Sequence, residues 1–216
     1  MNTNTKKIVT LAMLSAIAYV VMAVGRIPII PTVEFLKYDP KDIIIAIGGL
    51  VFGPLSAFLM SVVVSFVEMV TVSESGIIGL IMNVISTCAF ACTAAFIYKH
   101  KRTLSGAVIG LIAGSLAMTG IMLLWNYIIT PIYMGVPRET VANMLMPIFL
   151  PFNLLKSGLN AALTMLLYKP LVKVFRKSNL IPEPEANAKK PIFNLGVLLV
   201  SLFVLGTCLL IILLNR

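Results

Sequence analysis

The sequence predicts an all-α integral membrane protein: a bundle of six transmembrane helices followed by a seventh at the C-terminus. Three observations carry this. Of 216 residues, 59% are hydrophobic and only 12% are charged, about half the charge density of a soluble domain, and the mean hydropathy is +1.02. A chain so poor in charge cannot cover a globular surface, which excludes soluble folds, disorder and fibres. The apolar residues also gather into runs of membrane-spanning length, for which about 20 residues suffice. Finally, Lys and Arg residues cluster between the runs and give them a common orientation.

The first span is Ile8 to Gly25. Lys6 and Lys7 precede it as they would a signal peptide, but the run is longer than the roughly 7–15 residues of a signal core. Next comes RIPIIPTVEFLKYDPK, Arg26 to Lys41, too long for a simple connection. Its apolar content (Ile27, Ile29, Ile30, Val33, Phe35, Leu36, Tyr38) predicts an ordered lid over an outward-facing pocket. Asp42 to Phe52 has eleven residues, enough for only about half of a ~30 Å hydrocarbon core at ~1.5 Å per residue. Charge settles its path. With the N-terminus cytoplasmic, the cluster Lys99, Lys101 and Arg102 is also cytoplasmic only after an even number of crossings, so Asp42 to Phe52 crosses and Gly53-Pro54 forms the inner turn.

Leu55 to Val72, Ile77 to Tyr98 and Leu104 to Ile129 are the third, fourth and fifth spans. The sixth runs from about Met144 to Val174, with Pro147 and Pro151 marking a broken start. Residues 1–175 thus form the six-helix domain. Residues 176–191 (RKSNLIPEPEANAKKP), polar and with three prolines, read as a cytoplasmic linker. Residues 192–216 carry the seventh helix, Ile192 to Leu214, which places the C-terminus outside. On this count eleven of seventeen basic residues are cytoplasmic, five are outside and Lys156 lies in the membrane. The net charge of +9 therefore orients the chain and implies no nucleic-acid partner. Cys88, Cys92 and Cys208 all sit in apolar runs, without a disulfide or metal pattern.

Catalytic motifs are absent: no phosphate loop, no H-E-x-x-H, no G-x-S-x-G, and a single histidine, His100, in a basic loop. The expectation is a non-enzyme without a metal or cofactor. Polar residues within apolar helices carry the signal instead. Lys156 in FNLLKSGLN is the one basic residue deep in a span, a costly placement unless it faces a polar cavity. Asn153, Lys156 and Asn160 fall at i, i+3 and i+7, on one helical face, and all can donate hydrogen bonds. Snorkelling with helix-to-helix bonds is the plainer explanation, but three such residues beside helix-opening prolines favour a ligand pocket.

At the outer end of the fifth helix, WNYIITPIY places Asn126 between Trp125 and Tyr127, with Pro131 stopping the helix. Aromatic residues there suit an interfacial belt, yet an amide flanked by rings could also grip the edge of a planar ligand. Asn83 in GIIGLIMN follows Gly76 and Gly79, which leave room for a ligand or for close helix packing. Ala12 and Ala16 give a small-x-x-x-small spacing that fits either bundle packing or a partner helix.

Taken together, A-x-x-x-A at Ala12 and Ala16, EFLKYDPKD, GGLVFGP from Gly48, GIIGLIMN from Gly76, NYIITPIY from Asn126 and FNLLKSGLN from Phe152 resemble the substrate-binding S components of energy-coupling factor (ECF) vitamin transporters, in their riboflavin-specific branch. The resemblance implies capture of riboflavin from outside a bacterial plasma membrane. It implies energy from partners, a transmembrane coupling protein and two ATP-binding cassette subunits, in keeping with the missing phosphate loop. By the same resemblance Asn126, Asn153 and Lys156 are flavin hydrogen-bonders. Gly79, Asn83, Leu36 and Tyr38 match the surface enclosing the ligand, and Ala12 and Ala16 the docking face for the coupling protein; Tyr127, flanking Asn126, is a further candidate substrate contact from its own position. The seventh helix departs from the family's six-helix form. A stand-alone secondary transporter is the alternative, but it would carry an ion-coupling carboxylate within a span, and the nearest, Glu68, lies close to a helix end.

Overall fold

Helix α1 (Thr3–Gly25) is apolar around its whole circumference, as suits a helix with protein on one side and lipid on the other. Leu14, Ala18 and Met22 turn inward, and Val20 and Val24 turn out. The computed structural model describes residues 3–29, 36–73, 75–180 and 195–214. Past α1 the chain forms a two-stranded antiparallel strap, β1 (Ile27–Pro28) against β2 (Lys37–Tyr38), with Ile27 opposite Tyr38. Residues 30–35, the centre of the expected lid, lie outside the described residues.

Helix α2 (Lys41–Phe52) has its first ten residues buried. Its twelve residues are shorter than a full span, so it is an inner helix wrapped by its neighbours, yet it carries the chain away from the level of Glu68, to which α3 returns, as the expected crossing requires. Gly53 then turns the chain at φ +95°, a conformation that favours glycine. Pro54 opens α3 (Pro54–Thr71) where a missing N–H costs nothing. Arg26 and Lys41 both pair with Glu68, so the end of α1, the start of α2 and the far end of α3 share one level, called here the polar end.

Helix α4 (Gly76–Thr87), a π-helical turn (Cys88–Cys92) and α5 (Thr93–His100) form one rod matching the expected fourth span. Helix α6 (Leu104–Ile128) starts with Thr103, whose hydroxyl accepts the Gly106 N–H. It lies hard against the rod: a Cβ at Gly110 would stand 2.7 Å from the Ala94 carbonyl oxygen, and Gly114, one turn on, repeats the close approach at Phe90. The helix breaks at Ile129, ahead of Pro131. That proline starts the short α7 (Thr130–Met134), where its fixed φ is tolerated, so it begins a helix as well as following the end of one.

The sixth span starts earlier than the sequence suggests. Helix α8 (Arg138–Met144) passes through a second π-helical turn (Leu145–Phe149), which holds Pro147, into α9 (Leu150–Lys177). Helix α10 (Leu195–Leu214) packs on α9. Of the expected linker, 176–177 belong to α9 and 181–191 lie outside the described residues. Among the described residues, 4–25, 54–71, 76–100 and 104–128 are long and apolar enough to cross a membrane, and the molecule is an all-α, multi-pass membrane protein. One apolar core, around Leu14, Ile47, Met60, Phe90 and Met118, fills the bundle. A second, around Ile29, Tyr38, Phe149, Phe152 and Cys208, lies beneath the strap.

Candidate functional site

A cavity of about 100 Å³ opens at the polar end between the strap, α4, α6, α7 and α9. The strap side contributes Arg26, Leu36, Lys37 and Asp39, and α4 contributes Ile78, Gly79, Met82, Asn83 and Ser86. Met122, Trp125 and Asn126 come from α6, Thr130 and Tyr133 from α7, and Phe152, Asn153 and Lys156 from α9. Its walls mix apolar side chains (Leu36, Met82, Met122, Trp125, Phe152) with about as many polar and charged ones, more polar groups than a typical small-molecule site carries.

The amides are fixed before any ligand arrives. Asn126 Nδ2 donates to the Met122 carbonyl at 2.7 Å, and its Oδ1 accepts from the Thr130 hydroxyl at 2.8 Å. Asn153 Nδ2 donates to the Phe149 carbonyl at 2.8 Å. Each amide NH₂ has two hydrogens and each amide oxygen two acceptor sites, so both side chains are held in one rotamer with capacity left for a ligand. That is the physical meaning of preorganisation here: the ordering cost is met during folding.

Lys156 is not the isolated cation that its place in an apolar run suggests. Its Nζ lies 3.5 Å from Asp39 Oδ2, and Asp39 Oδ1 lies 3.3 Å from Lys41 Nζ. Lys41 in turn meets Glu68 Oε2 at 2.6 Å, and Glu68 Oε1 meets Arg26 at 3.2 Å. The chain Arg26–Glu68–Lys41–Asp39–Lys156 carries three positive and two negative charges. Lys41 and Glu68 are 0% exposed, so each charge depends on its partners in place of water. Burial alone would raise the Asp39 carboxyl, but Lys156, Lys41 and Arg26 outweigh it and hold it at about 2. Below this network Asp42 is also buried, accepting from Thr87 Oγ1 at 2.6 Å and from Asn160 Nδ2 at 3.2 Å.

Six of the residues singled out in the sequence line the cavity: Leu36, Gly79, Asn83, Asn126, Asn153 and Lys156. Two do not. Tyr38 is buried in the apolar cluster under the strap, because neighbours in a strand alternate faces and Lys37 and Asp39 take the cavity side. Tyr127 is 40% exposed with the Arg138 guanidinium over its ring, a cation–π contact outside the cavity. Asn160, expected to share the face of Lys156, sits one turn deeper and serves Asp42. Ala12 and Ala16 lie exposed on α1, not in the bundle interior. Sequence reasoning missed the strap's Asp39 and the cavity wall of Met82, Met122, Thr130 and Phe152. The run KYDPKD was the available signal, since four charges (Lys37, Asp39, Lys41 and Asp42) leading into an otherwise apolar helix demand partners. Among the described residues no group of three or more His, Cys, Asp or Glu could hold a metal ion.

Comparison with known proteins gives a consistent result. The family model described as ECF transporter, substrate-specific component, matches residues 6–168. The riboflavin transporter RibU of Staphylococcus aureus is 29% identical over 181 residues, 81% of this chain and 94% of that protein. The riboflavin transporter FmnP of Bacillus subtilis is 27% identical over 190 residues, 82% of this chain and 99% of that protein. A solved structure of the S component of a bacterial ECF transporter superposes with a TM-score of 0.67 at 27% identity, over 80% of this chain and 99% of that one.

Proposed function

Because the chain belongs to the substrate-specific components of ECF transporters, we propose that it captures riboflavin in the cavity beneath the strap and delivers it with energy supplied by other subunits. The observation that carries this reading is the convergence of Asn83, Asn126, Asn153 and Lys156 on one cavity that also has apolar walls at Met82, Met122, Trp125 and Phe152. An isoalloxazine ring presents a flat apolar body and a pyrimidine edge with two carbonyl acceptors and one N–H. Lys156 and the amide N–H groups suit the carbonyls, and an asparagine oxygen suits the N–H. Trp125, Met122 and Phe152 suit the ring faces. The named transport substrate of the similar RibU and FmnP proteins is the same molecule.

At about 100 Å³ the cavity is tighter than the ~300–1,000 Å³ of typical ligand sites. Admission of a three-ring ligand therefore requires the strap to swing outward, and its two-residue strands offer little pairing to resist that. With the basic clusters around Lys6, Lys99 and Lys169 cytoplasmic, the N-terminus is inside the plasma membrane and the polar end faces out. The chain catalyses nothing. Ala12 and Ala16, exposed on α1, form a flat patch on which a coupling-protein helix can lie closely, and that protein with two ATP-binding cassette subunits drives release. Glu68, the carboxylate a secondary transporter would use, is already matched by Lys41 and Arg26, which disfavours ion coupling.

Protein purified from riboflavin-fed cells should carry a yellow, fluorescence-quenched flavin, and a colourless preparation that takes up none on titration contradicts the substrate. Ala12→Trp or Ala16→Trp should leave flavin affinity within about twofold of wild type yet abolish uptake in cells. Retained uptake would move the docking face elsewhere.

A further inference from the structure

Helix α10 lies beyond the residues matched by the family, and it is not merely appended. It packs on α9 opposite Gly158, where an added Cβ would stand 3.8 Å from Cys208 Sγ and 3.9 Å from Val204 Cγ1. These are ordinary van der Waals distances, so the two helices are in contact at the level of the cavity, between Lys156 and Asn160. Cys208 is 8% exposed and belongs to one apolar cluster with Ile29, Leu36, Tyr38 and Phe152, against which Val204 and Leu205 also pack. Two of these residues, Leu36 and Phe152, line the cavity as well. One layer of side chains therefore separates α10 from the ligand space, and the strap forms part of that layer.

The strap faces two ways. Lys37 and Asp39 point to the cavity and Tyr38 points to the cluster, where its hydroxyl is buried without a hydrogen-bond partner. An unpaired buried hydroxyl is unfavourable, and outward movement of the strap would return it to water. The closed position is thus held by apolar packing against α9 and α10 and opposed by one unsatisfied polar group, which is the makeup of a gate. We propose that α10 is the gatepost of the binding site: its Val204–Cys208 face holds the strap closed and sets how fast ligand exchanges. This rests on the reading of the cavity as the flavin site.

The test is a reversible lock between strap and post. Tyr38→Cys is introduced in the full chain with Cys88→Ala and Cys92→Ala, so that position 38 can join only Cys208. Oxidation should cross-link the two, and exchange of bound riboflavin, followed by its fluorescence, should slow at least tenfold and recover on reduction. The parent carrying only Cys88→Ala and Cys92→Ala should show no redox effect. Cys208→Trp, which wedges the seam without touching the cavity, should speed exchange at least fivefold, so the outcome does not depend on tolerance of a cysteine in the strap. Absence of the cross-link, or a cross-link that leaves exchange unchanged, overturns the gatepost while leaving the flavin site standing. A wild-type protein that binds no flavin overturns the substrate reading, and the gatepost with it.

Discussion

Two buried polar regions meet at Lys156, and they have opposite characters. On the α2–α3 side, Arg26, Glu68, Lys41 and Asp39 pair at 2.6 to 3.3 Å, each charge answered by another. On the α6–α9 side, Asn126 and Asn153 spend part of their hydrogen-bonding capacity on their own helices and turn the remainder toward a cavity. Burial of a polar group by itself therefore does not mark a site. What distinguishes the cavity side is capacity left over after folding, while the ion-pair region holds the strap, α1, α2 and α3 at one level. Lys156 belongs to both, since its 3.5 Å contact with Asp39 is the longest in the network and the easiest to give up to a ligand.

Substitutions can separate the two regions. The largest effect should come from Glu68→Ala, which leaves Lys41 buried without its 2.6 Å partner. Breaking a buried pair in this way costs about 3–5 kcal/mol, readable as a large drop in the melting temperature of detergent-solubilised protein. A melt indistinguishable from wild type would mean that water reaches the network. Next comes Lys156→Met, which should weaken flavin binding by roughly 1–3 kcal/mol with a smaller loss of stability than Glu68→Ala. Asn126→Leu should weaken binding by about 1 kcal/mol and leave uptake by saturated protein close to normal, and an unchanged Kd would remove Asn126 from the ligand contacts.

The smallest effect is on pH. Asp39 is held at about 2 in the folded protein, against roughly 3.9 when unfolded. A depressed carboxyl contributes stability that is full above the unfolded value and is lost as pH falls through about 4 toward 2. Asp39 should therefore add no pH dependence to stability between pH 8 and 5. A slope in that range that Asp39→Asn abolishes would contradict the pairing.

The sequence was most legible where one helix speaks for itself. Hydrophobic runs located the spans, and polar residues inside those runs located Asn83, Asn126, Asn153 and Lys156 on the cavity wall. Charges near helix ends were harder to read. The outward placement of Arg26, Lys41 and Glu68 and the shortness of α2 were both readable, but nothing in the linear order reveals that these three side chains pair with one another and with Asp39 under the strap. Tyr38 falls outside the cavity lining for a smaller reason: the period of two in a strand sends it opposite Lys37 and Asp39. The depth of Asn160 depended on its pairing with Asp42, 118 positions away, a contact only the fold creates.

The central claim, that leftover capacity at Lys156 and the asparagines makes this cavity a flavin site, is tested most directly by titrating purified wild type and Lys156→Met with riboflavin while following flavin fluorescence. The account predicts saturable 1:1 quenching by the wild type and a Kd raised about 5- to 150-fold in the variant, the equivalent of roughly 1–3 kcal/mol. No quenching by the wild type, or equal affinity in the two proteins, would contradict it.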